Sequence, residues 1–155
     1  MNFSAPFIPQ FFNSQLLQIL PYTDIVICNE SEAASWAQAN DIETKDLGAI
    51  ATAIAGLPNS DASRSRTVVI THGAEPTTVV RSDDQTNVKT YPVHPLKAEE
   101  LVDTNGAGDA FAGGFLAALV VGKALEEAVD VGHKLARLGV TQIGPTYPWP
   151  KVSVL

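Results

Sequence analysis

Residues 103–111, DTNGAGDAF, combine glycines with a carboxylate in a pattern that could bind an anion and move a proton. Gly106 and Gly108 flank Ala107 immediately before an apolar, alanine-rich stretch that predicts a helix. Small residues leave the N–H groups of a first helical turn unshielded, and the helix dipole there favours a phosphate or a developing oxyanion. Asp109 enters the same turn, where its carboxylate is expected to stay ionised and to accept a proton.

The residues of this turn also allow other interpretations. An ordinary capped turn places glycine and aspartate before a helix, so the residue types alone leave a purely structural role open. A dinucleotide-binding fingerprint requires a third glycine where Phe111 stands, which disfavours a dehydrogenase. A P-loop requires Gly-Lys-Ser/Thr after the glycines, and that lysine is missing.

Polar residues also stand where two predicted strands end. Asn29 and Glu32 follow the apolar run at residues 24–28, and Thr71 and Gly73 close the run TVVIT. Open α/β sheets build their sites where strands end and helices begin. By residue type alone, Glu32 is equally an acidic residue in the first turn of a helix, where it favours the dipole.

The longer pattern DTNGAGDAFAGGF, thirteen contiguous residues, resembles the signature of the ribokinase-like carbohydrate kinases, a family that includes the adenosine kinases. The resemblance implies that Asp109 is the catalytic base that takes the proton from the acceptor hydroxyl. It also implies that the amides of Gly106, Ala107, Gly108 and Asp109 form an anion hole for the transferred phosphoryl group. Such a site fits phosphoryl transfer, which needs positioning and charge neutralisation more than covalent chemistry.

The resemblance implies roles for two further residues near the first strand. The sequence NESE at 29–32 resembles the family's Asn-x-x-Glu motif. The motif implies that Glu32 organises Mg²⁺, largely through waters, and that Asn29 lies beside the nucleotide phosphates. A single carboxylate is chemically adequate because magnesium keeps several of its waters.

Four more residues are assigned to ATP by the same resemblance. Thr71 and Gly73 resemble the turn that lines the ATP site, and Asn105 lies within the signature itself. His133 matches a position that helps to line the pocket for the ATP adenine. Taken alone, a helical histidine is more often a surface or core residue, and none of the three histidines has metal-ligand spacing with another.

The adenosine kinase branch is indicated by segments spread along residues 1–150, among them NFSAPFIPQFF, PYTDIVICNESEAASWA, ETKDL and GPTYPWP. The implied substrates are ATP and adenosine, with AMP and ADP as products in purine salvage. Family chains are about twice this length, so residues 1–150 are predicted to be the C-terminal nucleotide-binding and catalytic part, and residues 151–155 a tail. The alternatives are a non-catalytic nucleotide-binding or interaction module and another ribokinase-like sugar kinase.

The composition of the 155 residues excludes several classes of partner. Ten basic and seventeen acidic side chains give a net charge of −7, which argues against nucleic acid as a partner. The longest apolar run, at residues 115–121, is far shorter than the ~20 residues that span a bilayer, so no membrane partner is expected. Cys28 is the one cysteine, which favours a reduced, cytoplasmic setting, with the nucleus as an alternative. The oligomeric state stays open.

The elements that must position these residues alternate between strands and helices. This order predicts an α/β fold with a largely parallel sheet, and the resemblance specifies a ribokinase-like three-layer sandwich that is truncated on its N-terminal side. Helices are predicted at about residues 9–20, 30–40, 44–57 and 125–138, and after Gly108; strands at 24–28 and 67–71; a meander at 77–81 and 87–93; and a surface loop at 58–66. The predicted core includes Cys28, Trp36, Phe111, Phe115 and Leu119.

Overall fold

The computed structural model describes residues 1–154, which form alternating helices and strands. Their bounds are α1 (Phe7–Ile19), β1 (Ile25–Asn29), α2 (Glu30–Ala39), α3 (Leu47–Ala55), β2 (Thr67–His72), β3 (Glu75–Arg81), β4 (Asp84–Tyr91), α4 (Ala107–Val120) and α5 (Leu125–Val140). Two short 3₁₀ turns lie at Leu20–Tyr22 and Ala98–Glu100. In the predicted tail, residues 151–154 have no regular secondary structure, and residue 155 lies outside the described residues.

The chain divides into two compact units, Met1–Thr90 and the residues from Tyr91 onward. The sheet of the first unit has the strand order β1-β2-β3-β4. The strands β1 and β2 pair in parallel, β2 and β3 pair antiparallel, and Asn2 adds a parallel bridge to Ile27 of β1. The predicted alternation of strands with helices and the predicted meander are therefore both present.

The core of the first unit lies between α1, α2 and α3 and one face of the sheet. Alternate strand residues point to opposite faces, and those on the helix-packed face are Val26, Cys28, Val68, Ile70 and Val80. Their neighbours Ile27, Val69 and Val79, on the other face, are buried as well. The prediction of strands buried on both faces is confirmed, as is the buried position of Cys28 and Trp36.

Helix boundaries differ from the predicted ones where local capping decides them. The first helix begins at Phe7, before Pro9, because proline is tolerated in a first turn whose N–H groups have no helical acceptor. The third helix begins only at Leu47, because the Asp46 carboxylate caps it by accepting the Ala49 N–H at 2.9 Å. The predicted loop between the meander strands shrinks to two residues, and β4 begins at Asp84.

The predicted surface loop at residues 58–66 ends in a buried cation, which corrects the sequence prediction. The Arg66 side chain has 0% exposure. Its guanidinium donates to backbone carbonyls of Leu20 at 2.6 Å, Thr23 at 3.0 Å and Leu57 at 2.7 Å, and also to those of Ile54, Ala55 and Pro58. The carbonyls at a helix C-terminus have no partner within the helix, so the ends of the first 3₁₀ turn and of α3 supply the acceptors that make this burial tolerable.

The second unit is built on the packing of α4 against α5. A Cβ atom added at Gly114 would lie 2.9 Å from the Val131 carbonyl oxygen, so the two helices approach at backbone distance there. Phe111 stacks on Phe115 at a centroid distance of 6.0 Å, and both rings are buried as predicted, whereas Leu119 is half-buried. No helix within residues 1–154 combines the length and the apolar character needed to cross a bilayer.

Candidate functional site

The predicted site residues of the first unit lie at the carboxyl ends of β1 and β2. Asn29 and Thr71 are register partners in the parallel pair, so both strand ends reach the same edge of the sheet. The Thr71 hydroxyl donates to the Cys28 carbonyl at 3.4 Å. Gly73 stands in the tight turn from β2 to β3 with a φ of +55°, and no other atom lies within 4 Å of the position that a Cβ would take.

Asn29 and Glu32 form a capping box at the start of α2. The Asn29 side-chain oxygen accepts the Glu32 N–H at 2.8 Å, while the two Glu32 carboxylate oxygens accept the backbone N–H and the side-chain amide of Asn29, each at 3.0 Å. Glu32 is 5% exposed. Burial raises the pKa of its carboxyl group, the Asn29 N–H counteracts that shift, and the nearby Glu30 adds to it.

The chemistry of Glu32 fits a contact to a magnesium ion through water. Each of its carboxylate oxygens accepts one hydrogen bond from Asn29 and keeps capacity for another donor, which a metal-bound water could fill. Within residues 1–154, no three His, Cys, Asp or Glu side chains are grouped so that they could bind a metal ion together. Glu32 would therefore act as one carboxylate among waters.

The glycine-rich turn begins α4 with unprotected amides. Gly106, the N-cap residue, has a φ of 78°, a left-handed conformation that glycine adopts without strain. Because glycine has no side chain, it cannot cap the first N–H groups of the helix. Ala107 N–H donates to the Thr104 carbonyl at 3.2 Å. The N–H groups of Gly108 and Asp109 have no acceptor among residues 1–154. The turn thus presents donors to an anion, although the Ala107 amide is already engaged.

The carboxylate of Asp109 stands on this same first helical turn. Its side chain is exposed and makes no hydrogen bond or ion pair within the described part of the chain. Asn105 is exposed too, and its backbone N–H donates to Asp103 Oδ1 at 2.9 Å. A carboxylate with free lone pairs beside free amides can take up a proton next to a bound anion.

Asp103 is a residue of this turn to which the sequence assigned no role. Its second carboxylate oxygen, Oδ2, accepts the Gly144 N–H at 3.0 Å, in the segment that follows α5. These backbone donors at Asn105 and Gly144 lower the pKa of the Asp103 carboxyl group. An aspartate two residues before an asparagine suggests a local turn, but nothing in the sequence indicates the contact 41 residues away.

His133 lies on α5, apart from the turn residues 105–109 in the chain. It is 5% exposed, and its ring lies 5.4 Å from that of Phe111 and 6.3 Å from that of His94. His94 Nε2 is 2.8 Å from Asp130 Oδ1, and Asp130 also pairs with Lys134. Burial lowers the pKa of His133, the charge of His94 lowers it further, and Asp130 acts in the opposite direction.

The structure therefore groups the predicted residues by unit. Asn29, Glu32, Thr71 and Gly73 lie at one sheet edge of the first unit. Asn105, Gly106, Ala107, Gly108 and Asp109 form one turn in the second unit. His133 occupies a separate, buried position on α5, beside Phe111 of α4.

Curated relatives of the chain are adenosine kinases. The chain is 54% identical to the adenosine kinase of Schizophyllum commune over 156 residues, which cover 100% of this chain and 45% of that protein. It is 48% identical to the adenosine kinase of Saccharomyces cerevisiae over 155 residues, covering 99% of this chain and 44% of the relative. The chain therefore spans less than half the length of the curated relatives that it matches.

Solved structures give the same similarity at the level of the fold. Adenosine kinase from Anopheles gambiae, in complex with P1,P4-di(adenosine-5) tetraphosphate, matches with a TM-score of 0.87 and 39% identity over 95% of this chain and 45% of that one. Adenosine kinase from Schistosoma mansoni, in complex with 2-fluoroadenosine, matches with a TM-score of 0.90 and 35% identity over 95% and 43% of the two chains. A probable sugar kinase from Rhizobium etli matches with a TM-score of 0.76 and 28% identity over 99% and 41%.

These similarities confirm the predicted fold class, a ribokinase-like α/β fold with a mostly parallel sheet, of which this chain carries less than half. They also confirm the predicted resemblance to adenosine kinases. The model of the pfkB family carbohydrate kinases matches residues 1–152. The chain belongs to the pfkB family of carbohydrate kinases.

Proposed function

We propose that residues 1–150 are the nucleotide-binding and catalytic part of an adenosine kinase that acts in purine salvage. In the reaction, the 5′-hydroxyl oxygen of adenosine forms a bond to the γ-phosphorus of ATP, and the bond from that phosphorus to the bridging oxygen breaks. ADP leaves with the bonding electrons, the hydroxyl proton passes to a base, and AMP is formed. The 54% identity to an adenosine kinase supports this choice of reaction.

The observation that carries the proposal is the position of Asp109. Its carboxylate is exposed and unpaired in the first turn of α4, next to the open N–H groups of Gly108 and Asp109. An anion held by those amides would lie within the positive field of the helix start. We therefore assign Asp109 the role of catalytic base. The turn Gly106–Ala107–Gly108 is assigned the role of binding the transferred phosphoryl group.

Magnesium, when bound, would neutralise charge on the phosphates of ATP. Glu32 would hold its waters, because the carboxylate is fixed by Asn29 and retains acceptor capacity. Asn29 and Thr71, at adjoining strand ends, and Gly73, in the open turn, are assigned to the nucleotide. Asn105 is assigned to the same ligand from the glycine-rich turn, and His133 to the adenine.

The proposal is tested with a chimera of the Schizophyllum commune adenosine kinase. In the chimera, this chain replaces the segment that it matches. We expect the chimera to form AMP from adenosine and Mg-ATP. Asp109→Asn should lower turnover by about a thousandfold or more while largely preserving ATP binding, because general base catalysis is lost while the amides remain. Asp61→Asn, in the exposed loop of the first unit, is the matched control and should leave turnover unchanged.

An Asp109→Asn chimera with near-normal turnover would overturn the assignment of the base. Release of AMP must be followed directly, by separation of the nucleotides, so that ATP hydrolysis is not counted as transfer. The similarity to a probable sugar kinase makes a sugar the second candidate acceptor. Replacing adenosine by ribose in the same assay distinguishes the two acceptors.

The length of the chain favours a second function for the isolated polypeptide, that of a nucleotide-binding or interaction module without turnover. The chain spans 45% of its Schizophyllum commune relative, and the remaining part of that relative is not represented in it. Calorimetry with ATP, combined with an assay for AMP, decides between the two functions. AMP formation by the isolated 155-residue chain would exclude the non-catalytic module.

We also propose that the protein works in the cytoplasm, with the nucleus as the alternative compartment. Cys28 is the one cysteine of the sequence and its thiol is free, so it forms no intramolecular disulfide bond, as is usual for proteins of reducing compartments. Fractionation of the source cells, with an antibody against the chain, would place it in one compartment or the other.

A further inference from the structure

The turn that precedes α4 is connected to the segment after α5 by a single carboxylate. Asp103 Oδ1 accepts the Asn105 N–H at 2.9 Å, within the turn, and Asp103 Oδ2 accepts the Gly144 N–H at 3.0 Å, beyond α5. The backbone also joins the start of this turn to the end of α5, because the N–H groups of Val102 and Asp103 both donate to the carbonyl of Val140, the last residue of that helix, at 2.9 and 3.2 Å.

We propose that Asp103 is a positioning residue that fixes the anion-binding turn of α4 against the segment following α5. This inference rests on the proposed function as far as the identity of the anion, a phosphate of ATP, is concerned. The positioning itself rests on contacts within the second unit and is independent of that function.

The contacts of Asp103 are of a kind that constrains a backbone strongly. Both are hydrogen bonds from backbone amides to an ionised oxygen, and such charge-assisted bonds are shorter and stronger than neutral ones. The two amides belong to different segments, so the Asp103 side chain restricts the backbone of both segments at once. Gly108 follows Asp103 by five positions in the chain, and therefore a change in the turn moves the open amides directly.

Gly106 gives a second, independent contact between the same segments. A Cβ atom at Gly106 would lie 3.4 Å from Pro145 Cβ, so the left-handed turn lies directly against the residue that follows Gly144. The first unpartnered amide of α4 comes two residues later, at Gly108. The segment at Gly144 and Pro145 thus supports the turn on both sides of Asn105.

The test begins with the unmodified 155-residue chain and needs no ligand. In ¹H–¹⁵N spectra, lowering the pH should move the Asn105 and Gly144 resonances along one common titration curve, with a midpoint below that of an ordinary aspartate. If Asp103 positions the turn, the Gly108 amide resonance follows the same curve in the Asp109→Asn variant, where the Asp109 carboxyl group cannot titrate. Resonances of Gly108 that are unchanged through this titration would overturn the proposal.

The Asp103→Asn variant provides the second readout. It has nearly the same shape, but an amide group replaces one carboxylate oxygen and therefore faces an N–H donor. We expect ATP to bind about tenfold more weakly, because small misplacements of a binding group are costly. Asp61→Asn is the matched control, because the Asp61 carboxylate accepts the Ser63 N–H at 3.0 Å in a similar turn far along the chain.

The outcomes separate this inference from the proposed function. If ATP binds the unmodified chain and both variants equally, the positioning role is wrong and the nucleotide site stands. If ATP binds none of them, the proposed nucleotide site is wrong for this chain, and the common titration of Gly108 with Gly144 still decides the role of Asp103. Loss of ATP affinity in Asp103→Asn alone, measured well below the melting temperature of that variant, supports both.

Discussion

Asn29 and Glu32 form reciprocal hydrogen bonds at the start of α2. The Glu32 N–H donates to the Asn29 side chain at 2.8 Å, and the Glu32 carboxylate accepts the backbone N–H and the side-chain amide of Asn29, each at 3.0 Å. Asn29 is the last residue of β1 and the N-cap of α2, and Glu32 is the third residue of that helix. It also buries a carboxylate at the sheet edge where Thr71 lies in register with Asn29. The same hydrogen bonds therefore cap α2 and orient the Glu32 carboxylate.

Glu32→Ala should lower the free energy of unfolding by about 1–3 kcal/mol, because the backbone N–H and side-chain amide of the half-buried Asn29 lose the acceptors that Glu32 provides. Glu30→Ala is the matched control on the same helical turn, where the carboxylate accepts the neighbouring Ser31 hydroxyl at 3.3 Å. Urea denaturation of the two variants measures the difference. Equal losses in both would show that the capping box does not stabilise the fold.

Arg66→Met should destabilise the first unit by about 3 kcal/mol or more, since several buried carbonyls lose their donor at once. Arg81→Met is the control, because Arg81 pairs with Asp83 at the surface, where an ion pair contributes little. Guanidinium denaturation followed by fluorescence in a Trp149→Phe background, which leaves the buried Trp36 as the one tryptophan, reports on this unit. A variant of Arg66 as stable as that of Arg81 would contradict the interpretation.

Gly114→Ala and Gly113→Ala should have opposite effects on stability. A Cβ at Gly114 would lie 2.9 Å from the Val131 carbonyl oxygen and 3.1 Å from Gly132 Cα, both backbone atoms of α5. We expect a loss of about 1–3 kcal/mol there from overpacking. A Cβ added at Gly113 would meet no atom beyond the neighbouring backbone of its own helix within 4 Å, so alanine should stabilise the helix by about 0.5–1 kcal/mol. Thermal unfolding of both variants tests the pair, and a shift of the same sign in both would refute it.

His133 should make stability depend on pH below the ordinary histidine range. Burial, with a smaller contribution from the charge of His94, lowers its pKa from 6.5, so the unfolded chain binds the proton more tightly than the folded chain does. The free energy of unfolding therefore rises with pH between the lowered pKa of His133 in the folded chain and 6.5. The contribution of His133 to stability disappears as the pH falls through that window. His133→Gln should flatten this dependence in urea titrations. Identical slopes in both proteins would contradict it.

The elements that the sequence predicted well are those decided by neighbouring residues. The strand β1 and the helix α2 follow from an apolar run, an Asn-x-x-Glu pattern and a terminal asparagine, and the structure has them within a residue or two of the predicted bounds. The start of α4 at the glycine-rich turn was equally clear. In each case the hydrogen bonds that fix the boundary join residues only a few positions apart.

The features that the sequence missed depend on partners far along the chain. Arg66 looked like one more polar loop residue, because its acceptors at Leu20 and Thr23 precede it by 46 and 43 residues. No role for Asp103 follows from the sequence, because its hydrogen-bond partner Gly144 lies 41 residues further along the chain. Periodicity and capping patterns hold no information on such contacts, which only the packing of whole elements creates.

The buried guanidinium of Arg66 also orders events during synthesis of the polypeptide. Its acceptors lie between Leu20 and Pro58, so the C-terminal ends of α1 and α3 leave the ribosome before the donor that satisfies the carbonyls there. The parallel partner of β1 is translated directly after Arg66, at Thr67. Until Arg66 has been translated these carbonyls have no donor from its guanidinium, and the core, which includes Val80, is complete only once β3 has followed.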